Sequence, residues 1–336
     1  VVNTCCFIDA AKEESIENIL DMARMKTEGC CKRLIVTGCM AERYREEIAK
    51  ELPEVDAIVG VNELAQIIKA VDPSHECLHE DIIHDRVITT AGHYEFLKIA
   101  EGCNKRCSYC IIPYIRGSYR SFPMEDLVKQ AEYLAASGVK ELIVVAQETV
   151  IYGRDLYGEN RICDLLHRLC RIEGLKWIRL LYAYPEDITD ELLDCMAQEE
   201  KIVNYIDMPI QHSSDDSLKA MGRRTSHNDL VNIIDRVRRR LPGAVIRTSL
   251  ITGFPGESEK DHADLLEFVR DTGFDRLGVF TYSQEEGTRA ADFPGQIDEK
   301  IKLRRRDEIM QLQESISEEK LKSHIGQKFE LFIQGF

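Results

Sequence analysis

Glu95-Phe96-Leu97-Lys98-Ile99-Ala100-Glu101-Gly102-Cys103-Asn104-Lys105-Arg106-Cys107-Ser108-Tyr109-Cys110 is the stretch on which the reading of the whole chain turns. Its first half, 95–100, is an apolar run of strand type. Its second half places three cysteines with three and two residues between them. Thiols that directly follow a strand stand at the carboxyl-end mouth of an α/β fold, where such folds carry their chemistry. Three thiolates at this spacing can converge on a compact site for a soft metal.

Working outward, five further apolar runs follow at 141–146, 177–184, 204–209, 245–252 and 276–282, with helical patterns between them. One helix is expected to start after Pro123, a good first helical residue. Two more are expected at Ser226-x-x-Asp229 and Ser258-x-x-Asp261, which have the form of capping boxes. Repeated βα units imply a right-handed parallel winding. Six units fall short of the eight of a closed barrel, so an open, partial barrel is expected, with a doubly wound sheet as the alternative. Upstream, strands at 1–4, 33–37 and 56–59 alternate with helices at 11–26, 41–51 and 62–70, the pattern of a parallel sheet with helices on its faces. The expected organisation is an α/β domain over 1–72, a polar linker over 73–92, the partial (β/α)6 barrel over 93–296, a helical connection over 297–323 and the start of a β-barrel over 324–336. The chain opens without Met in one apolar run and ends in another, 329–333, so a fragment cut at both ends is expected.

The number of cysteines in the loop matters. A closed structural zinc site takes four ligands. Three cysteine ligands on a four-iron cluster leave one iron open, and an open iron can bind S-adenosylmethionine (SAM) through its amino and carboxylate groups. A zinc knuckle that borrows a histidine or a fourth cysteine is the competing reading. Tyr109 suits either packing against the SAM adenine or shielding of the cluster. Cys5 and Cys39 each end a strand of the first domain. Neighbouring strand ends open into one crevice, so the two thiols can meet there or be plain core cysteines. Cys6, Cys30, Cys31, Cys77, Cys163, Cys170 and Cys195 lack such placement and read as structural. Gln147-Glu148, Gln211-His212 and Gly253-Phe254-Pro255-Gly256-Glu257 all end barrel strands. Glu148 is placed to receive the SAM ammonium, and Gln211, Gly253 and Glu257 to contact the cofactor; a structural histidine and an ordinary strand-to-helix turn are the plainer alternatives. No residue is nominated as a general base.

Composition sets the surroundings. The formal net charge of -15 disfavours nucleic acid and suits a basic protein partner. The clusters Arg238-Arg239-Arg240 and Arg304-Arg305-Arg306 read as solvated helix faces. No run of about 18 apolar residues suggests a membrane span, and no secretion signal opens the chain. The 12 cysteines in a long helix-rich chain point to metal or redox chemistry in a reducing cytoplasm rather than to a disulfide scaffold.

Taken together, Asn3-Thr4-Cys5, the run from Thr37 through Cys39 to Tyr44, the run from Glu101 to Cys110, Arg116-Gly117-Ser118-Tyr119-Arg120-Ser121, Thr281-Tyr282-Ser283 and Gly287-Thr288 with Ala290-Ala291 resemble the radical SAM methylthiotransferases over nearly the whole chain. Ala146-Gln147-Glu148-Thr149, Tyr182-Ala183-Tyr184-Pro185 and the run from Asp207 to Ser214 resemble the RimO branch, which modifies the small-subunit ribosomal protein S-twelve. The transfer-RNA-modifying branch usually has a Gly-Gln-Asn-Val-like stretch in place of 146–149.

The resemblance implies two 4Fe–4S clusters and SAM as cofactors. Cys103, Cys107 and Cys110 hold the SAM cluster. Cys5 and Cys39 become ligands of the second, whose third ligand lies upstream of residue 1, and Cys6 stands where the family often has Gly. It implies two SAM molecules, one used to methylate a sulfur at the first-domain cluster and one cleaved reductively. The resulting radical takes a hydrogen from the β-carbon of a target aspartate, which then collects the methylthio group. A flavodoxin or ferredoxin is the expected reductant, and the family's C-terminal β-barrel (TRAM), almost wholly absent here, a possible RNA contact. The rival readings are the same chemistry on a transfer-RNA adenosine and a two-cluster electron carrier.

Overall fold

The computed structural model describes residues 1–72, 74 and 86–332. Most of the expected linker, with Cys77, lies outside the described residues. By its contacts the chain divides into two compact units, Val1–Arg86 with Gly102–Ser118 and Ser283–Ala291, and Val87–Glu101 with Tyr119–Tyr282 and Asp292–Phe336.

In the first unit, β1 (Val2–Thr4), β2 (Ile35–Gly38) and β3 (Ala57–Val59) form a parallel sheet in that order. All four residues of β2 are buried, as a central strand covered on both faces requires. The Thr4 hydroxyl donates to the Thr37 carbonyl at 2.6 Å and locks the register at the strand ends. Gly38 has φ 98°, and a Cβ there would stand 2.3 Å from the Thr4 carbonyl oxygen. Only glycine permits this approach, and it turns the chain directly into α2 (Cys39–Arg43). The helix expected over 41–51 is two helices, α2 and α3 (Arg45–Glu51). The break is at Tyr44 (φ -120°, ψ 37°), whose ring lies under the Arg43 guanidinium at 4.9 Å and whose hydroxyl donates to Glu286 at 3.3 Å. Ile19 of α1 (Asp9–Arg24), Leu34, Val36, Met40, Ile48, Ile111 and Ile115 fill the core with Cys6 and Cys39.

In the second unit, β4 (Tyr94–Lys98), β7 (Glu141–Val145) and β8 (Trp177–Leu180) form one parallel sheet. The strands β9 (Tyr205–Asp207), β10 (Val245–Thr252) and β11 (Arg276–Thr281) form a second. A parallel bridge between Ile178 and Ile202, and the Ala183 amide donating to the Asp207 carbonyl at 2.8 Å, join β8 to the β9 side. The six strands therefore follow chain order with no reversal. A doubly wound sheet reverses its order at a switch point, so the winding is that of a partial barrel. A short antiparallel pair, β5 (Ala100–Glu101) with β6 (Arg120–Ser121), also belongs to this unit and is not signalled by the apolar pattern.

Along β10 burial alternates strictly, with Ile246, Thr248, Leu250 and Thr252 inside. Ile246 and Leu250 share one core with Leu97, Leu142, Val144 and Ile178 and with helix residues such as Leu134, Leu165 and Phe268. The opposite strand face, with Arg179, Arg247 and Ser249, stays half-buried. Both capping boxes are present, Ser226 with Asp229 and Ser258 with Asp261. Pro123 is the N-cap of the helix Met124–Ala136 rather than its first residue. The helix Glu299–Ser323 is polar because it buries only a narrow stripe, Lys302, Arg305, Ile309 and Gln313. Of the expected strand at 329–333, residues 329–332 form none, and Ile333 lies outside the described residues. Among the described residues no helix is long and apolar enough to cross a membrane.

Candidate functional site

The loop that carries Cys103, Cys107 and Cys110 belongs to the first unit and is held from two sides. The Cys103 amide donates to the Gly117 carbonyl at 3.2 Å, which folds the loop back on its own exit. The segment Ser283–Ala291 grips its other side: the Ala290 amide donates to the Ser108 carbonyl at 2.9 Å, and Arg289 donates to the Arg106 carbonyl at 3.0 Å. Arg106 has φ 52°, a left-handed backbone that a non-glycine residue rarely adopts. Cys103 and Cys107 are buried and Cys110 is half-buried. The Lys105 amide points at the Cys103 sulfur at 3.5 Å. Burial pushes the Cys110 thiol up to about 12; an amide at Ile112 opposes this, while Cys107 and Cys103 add to it. The three sulfurs thus sense one another in a place that disfavours free thiolate. A bound cation deprotonates such thiols outright, and three soft donors with backbone amides around them fit an iron–sulfur cluster. Among the described residues no three His, Cys, Asp or Glu side chains stand close enough to hold a single metal ion. Tyr109, in the same loop, is half-buried.

Cys5 and Cys39 end adjacent strands of the first unit, as their sequence positions suggest. Their surroundings differ. Cys5 is exposed, and its backbone is tied to the Ser15 hydroxyl, which accepts from the Cys5 amide and donates to its carbonyl, each at 3.0 Å. Cys39 is buried, and its sulfur accepts from the Arg116 guanidinium at 3.4 Å. Cys6 is fully buried beside it. Burial pushes the Cys6 thiol up to about 11, with Cys39 and Cys5 adding and Arg43 opposing. The crevice therefore holds three thiols and two guanidiniums. Sequence reasoning gave no site role to Arg43 or Arg116. Arg43 donates to the Glu286 carbonyl, and Glu285 accepts from the Asp9 amide at 3.1 Å and faces Lys12 at 3.6 Å. The run Glu285-Glu286-Gly287-Thr288 thus braces this crevice. The signal was available in the two arginines that flank the cysteine motifs.

The other candidates sit at carboxyl ends of barrel strands in the second unit. Glu148 follows β7 and is buried. Gln211 has φ 72° and pairs with Leu250, its amide donating to Ser249 and its carbonyl accepting from Ile251. His212 is fully buried, and desolvation lowers it to about 4, so the ring is neutral at pH 7. Its Nδ1 accepts from the Ser214 amide at 2.9 Å, which leaves Nε2 as a buried donor. His212 Nε2, Ser213 Oγ and Gln147 Oε1 are buried without a partner among the described residues. Unpaired polar atoms at strand ends are what a polar cofactor would satisfy, and the site fits SAM on that ground. Gly253 and Glu257 act on each other. The Gly253 and Phe254 amides donate to Glu257 Oε2 at 2.5 and 3.1 Å, and Arg305 pairs with Oε1 at 3.1 Å. Glu257 therefore caps its own turn, and its burial raises it to about 7. Of the remaining cysteines, Cys163 and Cys195 lie on the outer helices and influence each other, which lowers the Cys163 thiol and raises that of Cys195.

Residues 97–269 match the Radical SAM superfamily, and residues 1–60 match a family described as Uncharacterized protein family UPF0004. Among solved structures, the radical SAM methyltransferase TsrM from Kitasatospora setae with cobalamin and a 4Fe–4S cluster bound aligns with a TM-score of 0.62 at 15% identity. The alignment covers 84% of this chain and 62% of that one, so the chain spans about three-fifths of that enzyme's length. The fold and the cysteine loop together define a radical SAM protein. The ribosomal protein uS12 methylthiotransferase RimO of Lachnoclostridium phytofermentans is 53% identical over 100% of this chain and 78% of its own length. That of Acetivibrio thermocellus is 49% identical over the same shares. The chain belongs to the RimO family of radical SAM methylthiotransferases.

Proposed function

We infer that this chain is the transferase its relatives are named for, a methylthiotransferase acting on ribosomal protein uS12, with SAM and two 4Fe–4S clusters as cofactors. The observation that carries this is identity of about half the residues over alignments that span the entire chain. Cys103, Cys107 and Cys110 would hold one cluster, and Cys5 and Cys39 would supply two ligands to the other. When bound, the first cluster and SAM supply a carbon radical able to remove hydrogen from an unactivated carbon. The chain's own part is to bind, orient and exclude water. The doubly braced cysteine loop, with Cys103 and Cys107 buried, would shield the first cluster from solvent. Glu148, Gln211 and the turn capped by Glu257 would offer polar groups to SAM at the strand ends of the second unit.

The acceptor carbon in this reading is the β-carbon of an aspartate, and no side chain is needed as a base for hydrogen-atom removal. The reductant is a flavodoxin or ferredoxin, and the compartment is the cytoplasm. The acidic charge of -15 favours a basic ribosomal protein over transfer RNA as acceptor. The test supplies the anaerobically reconstituted enzyme with SAM, reductant, uS12 and transfer RNA together, followed by mass spectrometry of both acceptors. A methylthio gain on a uS12 aspartate supports the reading; a gain on the RNA alone overturns the acceptor.

A further inference from the structure

Among the described residues, three non-glycine residues have positive φ: Arg106, Gln211 and Tyr182. The first lies in the cysteine loop and the second is a candidate cofactor contact. Tyr182, at φ 61°, follows β8, and nothing in the preceding reading gives it a role. For a bulky aromatic residue the left-handed region is a true outlier. Such outliers persist where the surroundings over-determine them, and they gather at functional sites.

The surroundings of Tyr182 do over-determine it. Its amide donates to Asp207 Oδ2 at 3.1 Å, and its carbonyl accepts from the Thr149 amide at 3.1 Å. The Thr149 hydroxyl holds the preceding carbonyl, that of Leu181, at 2.5 Å, and the Ala183 amide donates to the Asp207 carbonyl at 2.8 Å. Asp207 is only 1% exposed, and its other oxygen pairs with Arg247 at 2.6 Å. A buried carboxylate thus pins the Tyr182 backbone with one oxygen and an arginine on the half-buried strand face with the other. Held in this way, Tyr182 is left 44% exposed. The Tyr182 hydroxyl lies within electrostatic reach of Arg247, and Arg179 stacks on Tyr205 at 4.6 Å beside them. Packing alone would be served by an ordinary backbone with the ring inside. The strain instead presents a rigid, amphipathic ring to whatever enters the strand-end face. Tyrosine is a preferred anchor for polypeptide partners because it brings large contact area with few rotatable bonds.

We propose that Tyr182 is a substrate-binding residue whose strained backbone, fixed by Asp207 and Thr149, presents its ring to the polypeptide acceptor. The proposal rests on the reading of uS12 as that acceptor.

The test compares binding of purified uS12 to the reconstituted full chain and to two variants, by fluorescence anisotropy and with melting temperatures measured in parallel. Tyr182→Asn tolerates the left-handed backbone but removes the ring. Tyr182→Phe keeps the ring. The expected result is a Kd about tenfold weaker for the Asn variant, with no fall in melting temperature, and binding within about threefold of wild type for the Phe variant. An Asn variant that binds like wild type overturns the proposal and leaves the functional reading intact. A loss of binding matched by a loss of melting temperature in both variants assigns the ring to packing and also overturns it. Failure of wild type to bind uS12 overturns both.

Discussion

Gly253 and Gly256 lie three residues apart in one turn and both have left-handed backbones, φ 71° and 85°, yet they should respond very differently to a single methyl group. An L-residue in that region costs about 1–2 kcal/mol, which applies to both. At Gly256 nothing stands within 4 Å of the new Cβ. At Gly253 the Cβ would fall 2.2 Å from Lys302 Cγ and 2.9 Å from its Cβ. Those atoms lie near the base of the side chain, so Lys302 must change rotamer. Its ammonium then leaves the Tyr282 carbonyl, to which it donates at 2.8 Å in a buried setting. A hydrogen bond from a charged donor is worth about 1.5–3 kcal/mol. Gly253→Ala should therefore destabilise by about 2.5–5 kcal/mol and Gly256→Ala by only about 1–2 kcal/mol, the difference being the Lys302 contribution. Unfolded-chain effects of adding a methyl are common to both and cancel in the comparison. Urea unfolding followed by circular dichroism measures each. Equal midpoints for the two variants would refute the steric argument.

Three further outcomes are expected. Burial raises Glu257 from 4.5 to about 7, so the folded state binds its proton more tightly than the unfolded chain does. The stability this contributes is complete below about pH 4.5 and is lost as pH rises through about 7, roughly 3 kcal/mol in all. Urea titrations at pH 5 and pH 8 should show wild type losing stability relative to Glu257→Gln; parallel curves would contradict this. Ser258→Ala removes the side chain that accepts from the Asp261 amide at 3.1 Å and should lower unfolding stability by about 1 kcal/mol, an unchanged urea midpoint counting against the cap. Arg116→Ala removes the donor to the Cys39 sulfur and should lower the iron retained by reconstituted protein, read as iron and sulfide per chain; equal iron content would show that the guanidinium does not support that crevice.

The barrel was legible because its buried strands are short apolar runs and its helices announce their starts. Ser226 and Ser258 form capping boxes where the spacing predicts them, and Val245–Thr252 matches its expected limits. The break at Tyr44 was not legible, because it depends on contacts with Arg43 and Glu286, the latter distant in sequence. The pairing of Ala100–Glu101 with Arg120–Ser121 escaped because two-residue strands are too short to carry a pattern. In the site, the cysteine spacing pointed to the loop directly. What it could not show is that Ser283–Ala291 closes around that loop, because the Ala290 amide and the Arg289 side chain both bond to loop carbonyls, which the cysteine spacing does not mark. Nor could spacing reveal that Cys6 is buried beside Cys39 while Cys5 is exposed, since neighbouring residues on a chain leaving a strand face opposite ways.

The central claim is that the loop of Cys103, Cys107 and Cys110 carries the chemistry that cleaves SAM. Its most direct test is formation of 5′-deoxyadenosine from SAM and a strong reductant by the anaerobically reconstituted chain, wild type beside Cys110→Ala. The account predicts product from wild type and none above background from the variant. A Cys110→Ala protein that forms 5′-deoxyadenosine at the wild-type rate would contradict it.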